Sequence, residues 1–424
     1  MKKRFLPAVL FAALLAGGIG LTSCHSDDDD NTPGEKASIF TIENVMTLKE
    51  FVQSGTFKGQ GATGDILVPG ESASIKFCAA KGQYLMFATM YGYSNDLFFA
   101  PENPGIALYN ADGTPITGDV SAKVKLWDNG TRVNAAPGPS NVHPGTAKND
   151  KVKMINGTDD EGNTYPAASE MMKLVLTYDK TKSEFTLIIT NISNNTSNET
   201  PFSPGVWVVS NVLQNKLLSD KPYFIPGESS SAELTKLAED GNVNDLYAAV
   251  NDKTGIITTL SPTLVVIYTG DINPVYQLDK KDQGIGLKAL AQTGNVNQLK
   301  EALAKLPYVR NVYVAGTTSL YPGEKTQVEY SAYNGDKLAY VTMFGYSNDW
   351  FYSNGSDVKA ITANDITSTA RLLDDGTAVS QYPGAGNAQY IFGGTPIPEN
   401  NVITGVGETF PIPAVADVLK ITLR

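Results

Sequence analysis

Gly92-Tyr93-Ser94-Asn95-Asp96 occurs again as Gly345-Tyr346-Ser347-Asn348-Asp349 in this chain of 424 residues. In both places Thr-Met and one further residue precede the pentapeptide, and one residue separates it from a phenylalanine. The other stretches that match in the same order are Pro69–Glu71 with Pro322–Glu324, Asp128–Thr131 with Asp374–Thr377, and Met172–Leu176 with Leu419–Leu423. Self-similarity of this extent predicts two tandem copies of one domain.

Short apolar alternations, separated by Gly, Pro, Asn and Thr, fill both copies and are typical of β-strands. Apolar residues occupy alternate positions of Ile75–Ala79, and the more continuously apolar Tyr84–Met90 predicts a central strand. Asn110–Gly113, between two apolar segments, is a hairpin signal. With 42% hydrophobic residues, the pattern predicts an all-β fold built from β-sandwiches.

A smaller repeat is nested in the second copy. Leu234–Leu246 reappears as Leu287–Leu299, and similar strands precede the two segments. Each segment predicts two short helices, the first of which ends at a glycine, Gly241 or Gly294. We therefore expect small helical insertions in the second domain, packed against its sandwich.

The first 24 residues predict a lipoprotein signal peptide. A basic start and an apolar stretch precede Leu21-Thr22-Ser23-Cys24, which resembles a bacterial lipobox. The alternative is an ordinary secretory peptide with a chance cysteine. Acylation of Cys24 would provide a firm membrane anchor, at about 0.8 kcal/mol per buried methylene.

Asp27–Asp30 follow the lipobox cysteine directly. A run of acids is often a solvated tether. In lipoproteins of Bacteroidetes-type bacteria such acids resemble a surface-export signal, and we favour that interpretation. The segment therefore predicts a lipid-anchored protein of the outer membrane that faces the cell surface.

These patterns predict the following division of the chain. The segments are a signal peptide at 1–24, an acidic flexible leader at 25–37, a first sandwich at 38–183, and a second sandwich at 184–424 with a duplicated strand–helix insertion at 203–306.

Charge and reactive residues exclude several classes of function. The formal net charge of -11 disfavours nucleic acid, whose phosphates need a basic surface. Cys78 is the only cysteine besides Cys24, and it aligns with Ser331, so we interpret it as a strand residue. The two histidines, His25 and His143, have no catalytic context, and no phosphate loop, zinc signature or nucleophile elbow occurs. We expect no enzyme; hydrolysis by a pair of carboxylates is a remote alternative.

The pentapeptide with its flanking Thr-Met and Phe, followed by Leu-Trp-Asp-Asn-Gly-Thr at 126–131, resembles a bacterial spondin domain. The Leu-Ala-Glu-Asp-Gly-Asn element at 237–242 fits the same family, and the resemblance covers nearly all of the chain after its leader. It implies a C2-like antiparallel sandwich, similar to the domain of F-spondin, with a calcium ion held at one edge by loop carboxylates. Animal members are adhesion proteins of the extracellular matrix.

The resemblance implies which acids would bind calcium. The first acid of the family's site corresponds to Asp96 and Asp349, and the second to Asp128 and Asp374, with Asp375 as an additional acid in the second copy. At the third acid position the chain instead has Arg132 and Ala378. We expect Arg132 to pair with Asp96 or Asp128 in place of calcium, and a weak calcium site to be more favoured in the second copy.

The residues themselves leave a second interpretation open. Asp-Asn-Gly and Asp-Asp-Gly are turn formers, since Asp caps a turn and Gly accepts positive φ. Aromatic residues surround both pentapeptides and suit either a sandwich core or the binding of a sugar or a protein. An aromatic platform exposed beside Trp350 would favour a glycan.

The sequence thus predicts a surface lipoprotein that acts in adhesion or ligand binding, in a calcium-dependent way, through an unknown protein or glycan partner. The alternative is a glycan-binding accessory protein of a carbohydrate-uptake system.

Overall fold

The computed structural model describes residues 34–61, 64–407 and 409–424. Strands account for 36% of the chain and helices for 13%, and the sheets are antiparallel. The predicted all-β sandwich class is confirmed. The signal peptide, Cys24 and Asp27–Asp30 lie outside the described residues.

The strands are, in chain order, β1 Lys36–Asn44, β2 Phe51–Phe57, β3 Ser72–Cys78, β4 Tyr84–Tyr91, β5 Leu97–Pro101, β6 Ile106–Ala107, β7 Gly118–Asp119, β8 Val124–Asp128, β9 Lys153–Ile155, β10 Met172–Asp179, β11 Glu184–Asn191, β12 Phe202–Ser210, β13 Val212–Leu213, β14 Lys216–Leu217, β15 Thr263–Tyr268, β16 Val309–Ala315, β17 Lys325–Ala332, β18 Lys337–Met343, β19 Trp350–Asn354, β20 Val358–Lys359, β21 Ala370–Asp374, β22 Thr404–Gly405 and β23 Leu419–Leu423. The α-helices are α1 Ala168–Met171, α2 Ala232–Asp240, α3 Asn244–Asp252, α4 Leu287–Thr293, α5 Asn297–Leu303 and α6 Val415–Val418, and the 3-10 helices are Ser121–Lys123, Ser193–Asn195, Thr367–Thr369 and Tyr390–Phe392.

The first sandwich packs two sheets and a layer of helices. One sheet has the strand order β3-β11-β10-β7, and the longer one has the order β2-β12-β4-β5-β8-β9. Alternate residues of each strand point into the core between the sheets, among them Ile75, Phe87 and Leu187. The outer face of the longer sheet is covered by α2 and α3, which bury Leu237 and Val250 against it.

The second sandwich repeats this arrangement. Its short sheet has the order β17-β1-β23 and its long sheet the order β16-β15-β18-β19-β21-β22. The core between the sheets includes Phe40, Val265 and Tyr340, and α4 and α5 cover the outer face of the long sheet. As predicted, the first helix of each pair ends at a glycine in the left-handed conformation, with φ of 65° at Gly241 and 72° at Gly294.

Each sandwich takes strands from the part of the chain assigned by sequence to the other. β1 pairs with β17 and β23 of the second sandwich, whereas β11 pairs with β3 and β10 of the first. The strand β12 and the helices α2 and α3 also belong to the first sandwich. These pairings divide the chain differently from the predicted boundary at 183/184, and they assign one strand–helix element to each sandwich rather than both to the second.

The first sandwich is therefore an insertion within the second. Its two ends meet where Phe51 forms a bridge to Thr254, and the N–H of Phe51 donates to the carbonyl of Lys253 at 3.1 Å. In the second sandwich the helix pair connects β15 to β16. In the first sandwich β12 is the equivalent of β15 and β2 is the equivalent of β16, but β2 begins the domain, and the helices that follow β12 end it. The first sandwich is thus a circular permutation of the second.

Two equivalent asparagines fasten the exchanged strands. The buried amide of Asn44, at the end of β1, donates to the carbonyls of Thr258 and Leu320 at 3.0 and 3.1 Å. At the end of β11, Asn191 makes the same two bonds to residues 200 and 67, at 2.8 and 2.9 Å. These bonds satisfy buried backbone carbonyls that would otherwise lack a donor.

In the described part of the chain, no helix is long and apolar enough to cross a membrane.

We predict that residues 51–254, expressed alone, fold cooperatively, whereas residues 38–183 do not. The first segment contains every strand of the first sandwich, but the second lacks β11 and β12, which leaves the long sheet without a central strand. Circular dichroism during thermal unfolding distinguishes the two. A sharp transition for 38–183, with none for 51–254, would contradict the permuted arrangement.

Candidate functional site

The repeated pentapeptide forms the turn between β4 and β5, and each of its polar side chains has a structural role. The hydroxyl of Ser94 donates to the carbonyl of Tyr91 at 2.7 Å and closes the turn. The side-chain oxygen of Asn95 accepts the N–H of Ala135 at 2.9 Å, which holds the following loop. The turn at 345–349 forms the same bonds. The recurrence of the motif thus follows from the requirements of this turn.

Asp96, the last residue of the motif, holds the loop that follows β8. Its buried carboxylate accepts at Oδ2 the N–H groups of Thr131 at 2.8 Å and Arg132 at 2.9 Å. The other oxygen, Oδ1, is buried and has no hydrogen-bond partner among the described residues. Oδ2 therefore holds the loop, whereas Oδ1 is a buried acceptor that the described residues leave without a donor.

Asp349 repeats this geometry in the second copy. Its Oδ2 accepts the N–H groups of Thr377 at 2.7 Å and Ala378 at 2.8 Å, and its buried Oδ1 is again unpartnered within the described chain. The unpartnered oxygen recurs although Arg132 is replaced by Ala378 in the second copy, so we interpret it as a property of the fold.

Asp128 and Asp374 are turn formers, as one interpretation of the sequence expected. Oδ1 of Asp128 accepts the N–H of Gly130 at 2.7 Å, and Oδ1 of Asp374 accepts that of Gly376 at 2.8 Å. Both glycines have positive φ. Oδ2 of Asp374 also accepts the indole N–H of Trp350 at 3.0 Å, so the oxygens of this carboxylate are already partnered.

The next residue of each turn contributes a second unpartnered oxygen. Asn129 donates its amide to the hydroxyl of Thr131 at 3.0 Å, and its Oδ1 has no partner in the described part of the chain. Asp375 accepts the hydroxyl of Thr377 at 3.0 Å through Oδ2, and the described residues give its Oδ1 no partner either. We call Asp96, Asp128 and Asn129 acid pocket one, and Asp349, Asp374 and Asp375 acid pocket two.

The helices α2 and α4 form a further wall of the two pockets, which the sequence did not reveal. Glu239 accepts the hydroxyl of Thr131 at 2.7 Å, and the amide of Gln292 donates to the hydroxyl of Thr377 at 3.0 Å. A sequence signal was present, since Glu239 and Gln292 occupy the same position of the nested helical repeat. Each helix pair therefore supports the acid turn of its own sandwich.

The partner of Arg132 differs from the one expected. Its backbone N–H bonds to Asp96, but its guanidinium forms an ion pair with Glu239 at 2.7 Å rather than with Asp96 or Asp128. Glu239 lies on the helix side of the pocket and is nearly buried, with 7% of its side chain exposed. In the second copy Ala378 replaces the arginine and Gln292 replaces the glutamate, so both charges of the pair are absent together.

Burial is the main cause of the raised pKa of the first acid in each pocket. Burial, and then the charge of Asp128, raises the pKa of Asp96 to about 6. Burial, and then the charge of Asp374, raises the pKa of Asp349 well above the usual range of a carboxyl group. Both shifts arise because a charged group is removed from water and placed beside another acid.

The additional acid of pocket two is also perturbed. Burial, and then the charge of Asp282, raises the pKa of Asp375 to about 7, although the charge of Lys288 opposes this. In pocket one the positions of Asp375 and Lys288 are occupied by the neutral residues Asn129 and Thr235, and the amide of Asn129 donates to the hydroxyl of Thr235 at 3.2 Å. Pocket two therefore carries an acid that costs free energy unless a proton or a cation compensates it.

The aromatic residues around the motifs belong mostly to the cores. Phe98, Phe99, Phe351 and Tyr352 are buried, and only 2% of Trp350 is exposed. Trp350 therefore provides no aromatic platform for a sugar.

Hard oxygen ligands suit calcium better than soft metals. Among the described residues, no three His, Cys, Asp or Glu side chains are grouped tightly enough to hold a metal ion by themselves. In pocket two, Asp349 and Asp375 provide the oxygens that lack a partner among the described residues, and these are the residues that could serve as ligands of a hard cation. In pocket one the corresponding oxygens come from Asp96 and a neutral amide, with the guanidinium of Arg132 close by.

No family model matches the chain, and no curated protein resembles it in sequence.

We predict that Arg132→Ala lowers the free energy of unfolding by about 2 kcal/mol, because Glu239 is left buried without its counter-charge. The double variant Arg132→Ala/Glu239→Gln reproduces the combination of the second copy and should recover most of this loss. Urea unfolding of the single and double variants measures the coupling. Additive effects would show that the ion pair does not stabilise pocket one.

A second prediction concerns pH. Folding raises the pKa of Asp375 from 3.8, its value in an unfolded chain, to about 7. The folded state therefore binds this proton more tightly than the unfolded state does. Stability is therefore lost as the pH rises from about 4 to about 7. With a chelator present, Asp375→Asn should be more stable than wild type at pH 8, on the order of 2 kcal/mol, and similar at pH 4.

The exposed turn acid Asp112 is the matched control, because Asp112→Asn removes a carboxylate of lowered rather than raised pKa. It should give no gain in stability at pH 8. An equal gain from both variants would mean that net charge, and not burial in pocket two, causes the effect.

Proposed function

We propose that this chain is a spondin-like binding protein that acts in adhesion or ligand binding at the cell surface, anchored to the outer membrane through Cys24. It works without catalysis, since its perturbed acids serve to hold loops in place and to bind a cation. The observation that carries the proposal is a buried aspartate at the equivalent edge of both sandwiches, Asp96 or Asp349, with one oxygen that has no partner among the residues that the structure describes.

Calcium is the cation that pocket two suits best. Asp349 and Asp375 each have one oxygen without a partner among the described residues. The hydroxyl of Thr377 lies within hydrogen-bond distance of the other oxygen of both, at 3.1 and 3.0 Å, so the two carboxylates lie side by side. Calcium takes six to eight oxygen ligands at about 2.3–2.6 Å and accepts carbonyl and water oxygens among them. Few of the ligands would be charged, so we propose a weak site, with a Kd of about 10⁻⁴–10⁻³ M, as in extracellular modules.

Pocket one is the weaker candidate. Asn129 replaces the additional acid, and the ion pair of Arg132 with Glu239 lies beside Asp96. A guanidinium beside the pocket repels a divalent cation. We therefore propose that the first sandwich uses the Arg132 ion pair to stabilise its turn, and the second uses calcium.

The test is a calcium titration of residues 31–424 by calorimetry and thermal melting. We predict saturable binding and a raised melting temperature in wild type, both lost in Asp349→Asn and weakened in Asp375→Asn. The amide keeps the size of the side chain and an acceptor for the N–H groups of Thr377 and Ala378, so the loop should retain its bonds.

Asp96→Asn is the matched control, since it makes the same change at the equivalent turn of the first sandwich. It should leave calcium binding almost unchanged. Absence of heat and of any melting shift up to about 5 mM calcium, above the Kd proposed here, would contradict the calcium site. The proposed adhesion or ligand binding would then rest on other surfaces.

A further inference from the structure

Equivalent grooves lie beside the pentapeptide turn in both sandwiches. The groove of the first sandwich, of about 380 Å³, is lined by Met90, Gly92, Ser203 and Gly241 among others. That of the second, of about 770 Å³, is lined by the equivalent residues Met343, Gly345, Ser261 and Gly294. Because the same positions recur, the groove is built into the repeat.

Close backbone contacts make this shared part rigid. The hydroxyl of Ser261 accepts the N–H of Met343 at 2.9 Å, as Ser203 does for Met90 at 3.0 Å. A side chain on Gly345 would come within 2.2 Å of Thr259, so glycine is required at this wall. A ligand would therefore meet a preformed surface, which lowers the cost of binding.

The second groove is larger because it lies between the two sandwiches. The first sandwich supplies Lys81 and Gly82, and the β13–β14 hairpin supplies Asn215. The 3-10 turn Tyr390–Phe392 forms a further part of the lining, and the described residues that line the first groove include no equivalent turn. We call this second groove the interdomain groove.

The turn at 390–392 is held by contacts with buried residues, and it exposes one aromatic ring to solvent. Phe392 packs edge-to-face on the buried Tyr346, with ring centroids 5.8 Å apart. The buried amide of Gln389 donates to the carbonyl of Tyr382 at 2.9 Å. Tyr390 itself is 54% exposed and lines the groove. It is thus an accessible ring on a turn that is held in place, unlike the buried Trp350.

The two grooves differ in the charge of the residues that line them. Of the described residues that line the interdomain groove, only Lys81 carries a charge at neutral pH, although the chain has a net charge of -11. Its polar groups are otherwise hydroxyls and an amide, such as Thr293, Ser319 and Asn215. The first groove contains Glu239 and Asp240 and has no aromatic turn.

A ring with accessible faces, beside uncharged donors and acceptors, matches the chemistry of a sugar. A pyranose has a C–H face that packs on an aromatic ring and a rim of hydroxyls that bond to Ser, Thr and Asn. The volume lies within the usual range of ligand sites. From this combination we infer that the interdomain groove binds an oligosaccharide, with one sugar ring stacked on Tyr390. The inference rests on the proposed ligand-binding function and names its ligand class.

The experiment uses the labelled full chain in a detergent without a sugar headgroup. The probe is an array of plant, microbial and animal oligosaccharides that includes neutral sugars and uronates. Affinities for the strongest ligand are then measured by calorimetry. Tyr390→Ala should weaken binding at least about tenfold, and Ser319→Trp, which fills the groove, should abolish it. Lys81→Ala should weaken binding only if the ligand carries a carboxylate.

Two controls match these changes. Tyr333→Ala removes another exposed tyrosine, outside the groove, and Ile66→Trp fills the equivalent position of the first groove. Both should bind as wild type does. Absence of binding by wild type across the array overturns the inference, as does binding that Tyr390→Ala and Ser319→Trp leave unchanged. The calcium-dependent melting shift is measured on the same samples. If the shift persists while no sugar binds, the groove assignment fails and the calcium-binding proposal stands.

Discussion

The amide of Asn44 joins the end of β1 to the carbonyls of Thr258 and Leu320, in the other half of the chain. Asn191 does the same for β11 in the first sandwich. These bonds fix where each exchanged strand ends, and with it the register of the short sheets. Because register decides which side chains face the core, the two cores depend on these anchors.

The exchange of strands determines how the sandwiches are related. The first sandwich is inserted in the sequence of the second, between β1 and β15, and its ends meet at Phe51 and Thr254. The chain therefore crosses between the sandwiches twice. Loop contacts add to this connection. The amide of Gln83 donates to the carbonyl of Gly384 at 2.8 Å, and the hydroxyl of Tyr346 donates to Val212 at 2.7 Å. A groove between two bodies joined in this way has walls of defined geometry.

The acid pockets illustrate how one backbone accommodates different charges. The N–H groups of the loop bind Asp96 or Asp349 in the same way in both copies. Around this constant bond, an arginine–glutamate pair is replaced by alanine and glutamine, and asparagine is replaced by Asp375. A hydrogen bond between the helix and the threonine is kept, while its direction and the electrostatics change: Thr131 donates to Glu239, whereas Thr377 accepts from Gln292. Duplication has thus separated the structural role of the turn from its charge.

Local patterns in the sequence determined the strands, the helix ends at Gly241 and Gly294, the duplication and the turns at Asp128 and Asp374. These features depend on neighbours along the chain, such as the positive φ that glycine accepts. The acids of both pockets were indicated by the resemblance to a spondin domain together with the recurrence of each motif, whereas Asn129 was not singled out.

Only the tertiary structure decided which half of the chain each strand completes, and which side chain Arg132 meets. A strand that fits either of two similar sheets carries no sequence signal for its partner, and adjacent copies suggested a boundary at 183/184 that the pairings do not follow. Arg132 and Glu239 lie 107 positions apart, and they meet because α2 packs on the outer face of the sheet. The physical reason is that pairing and packing are long-range: they depend on which surfaces can be buried together, and this is settled only when the whole chain has folded.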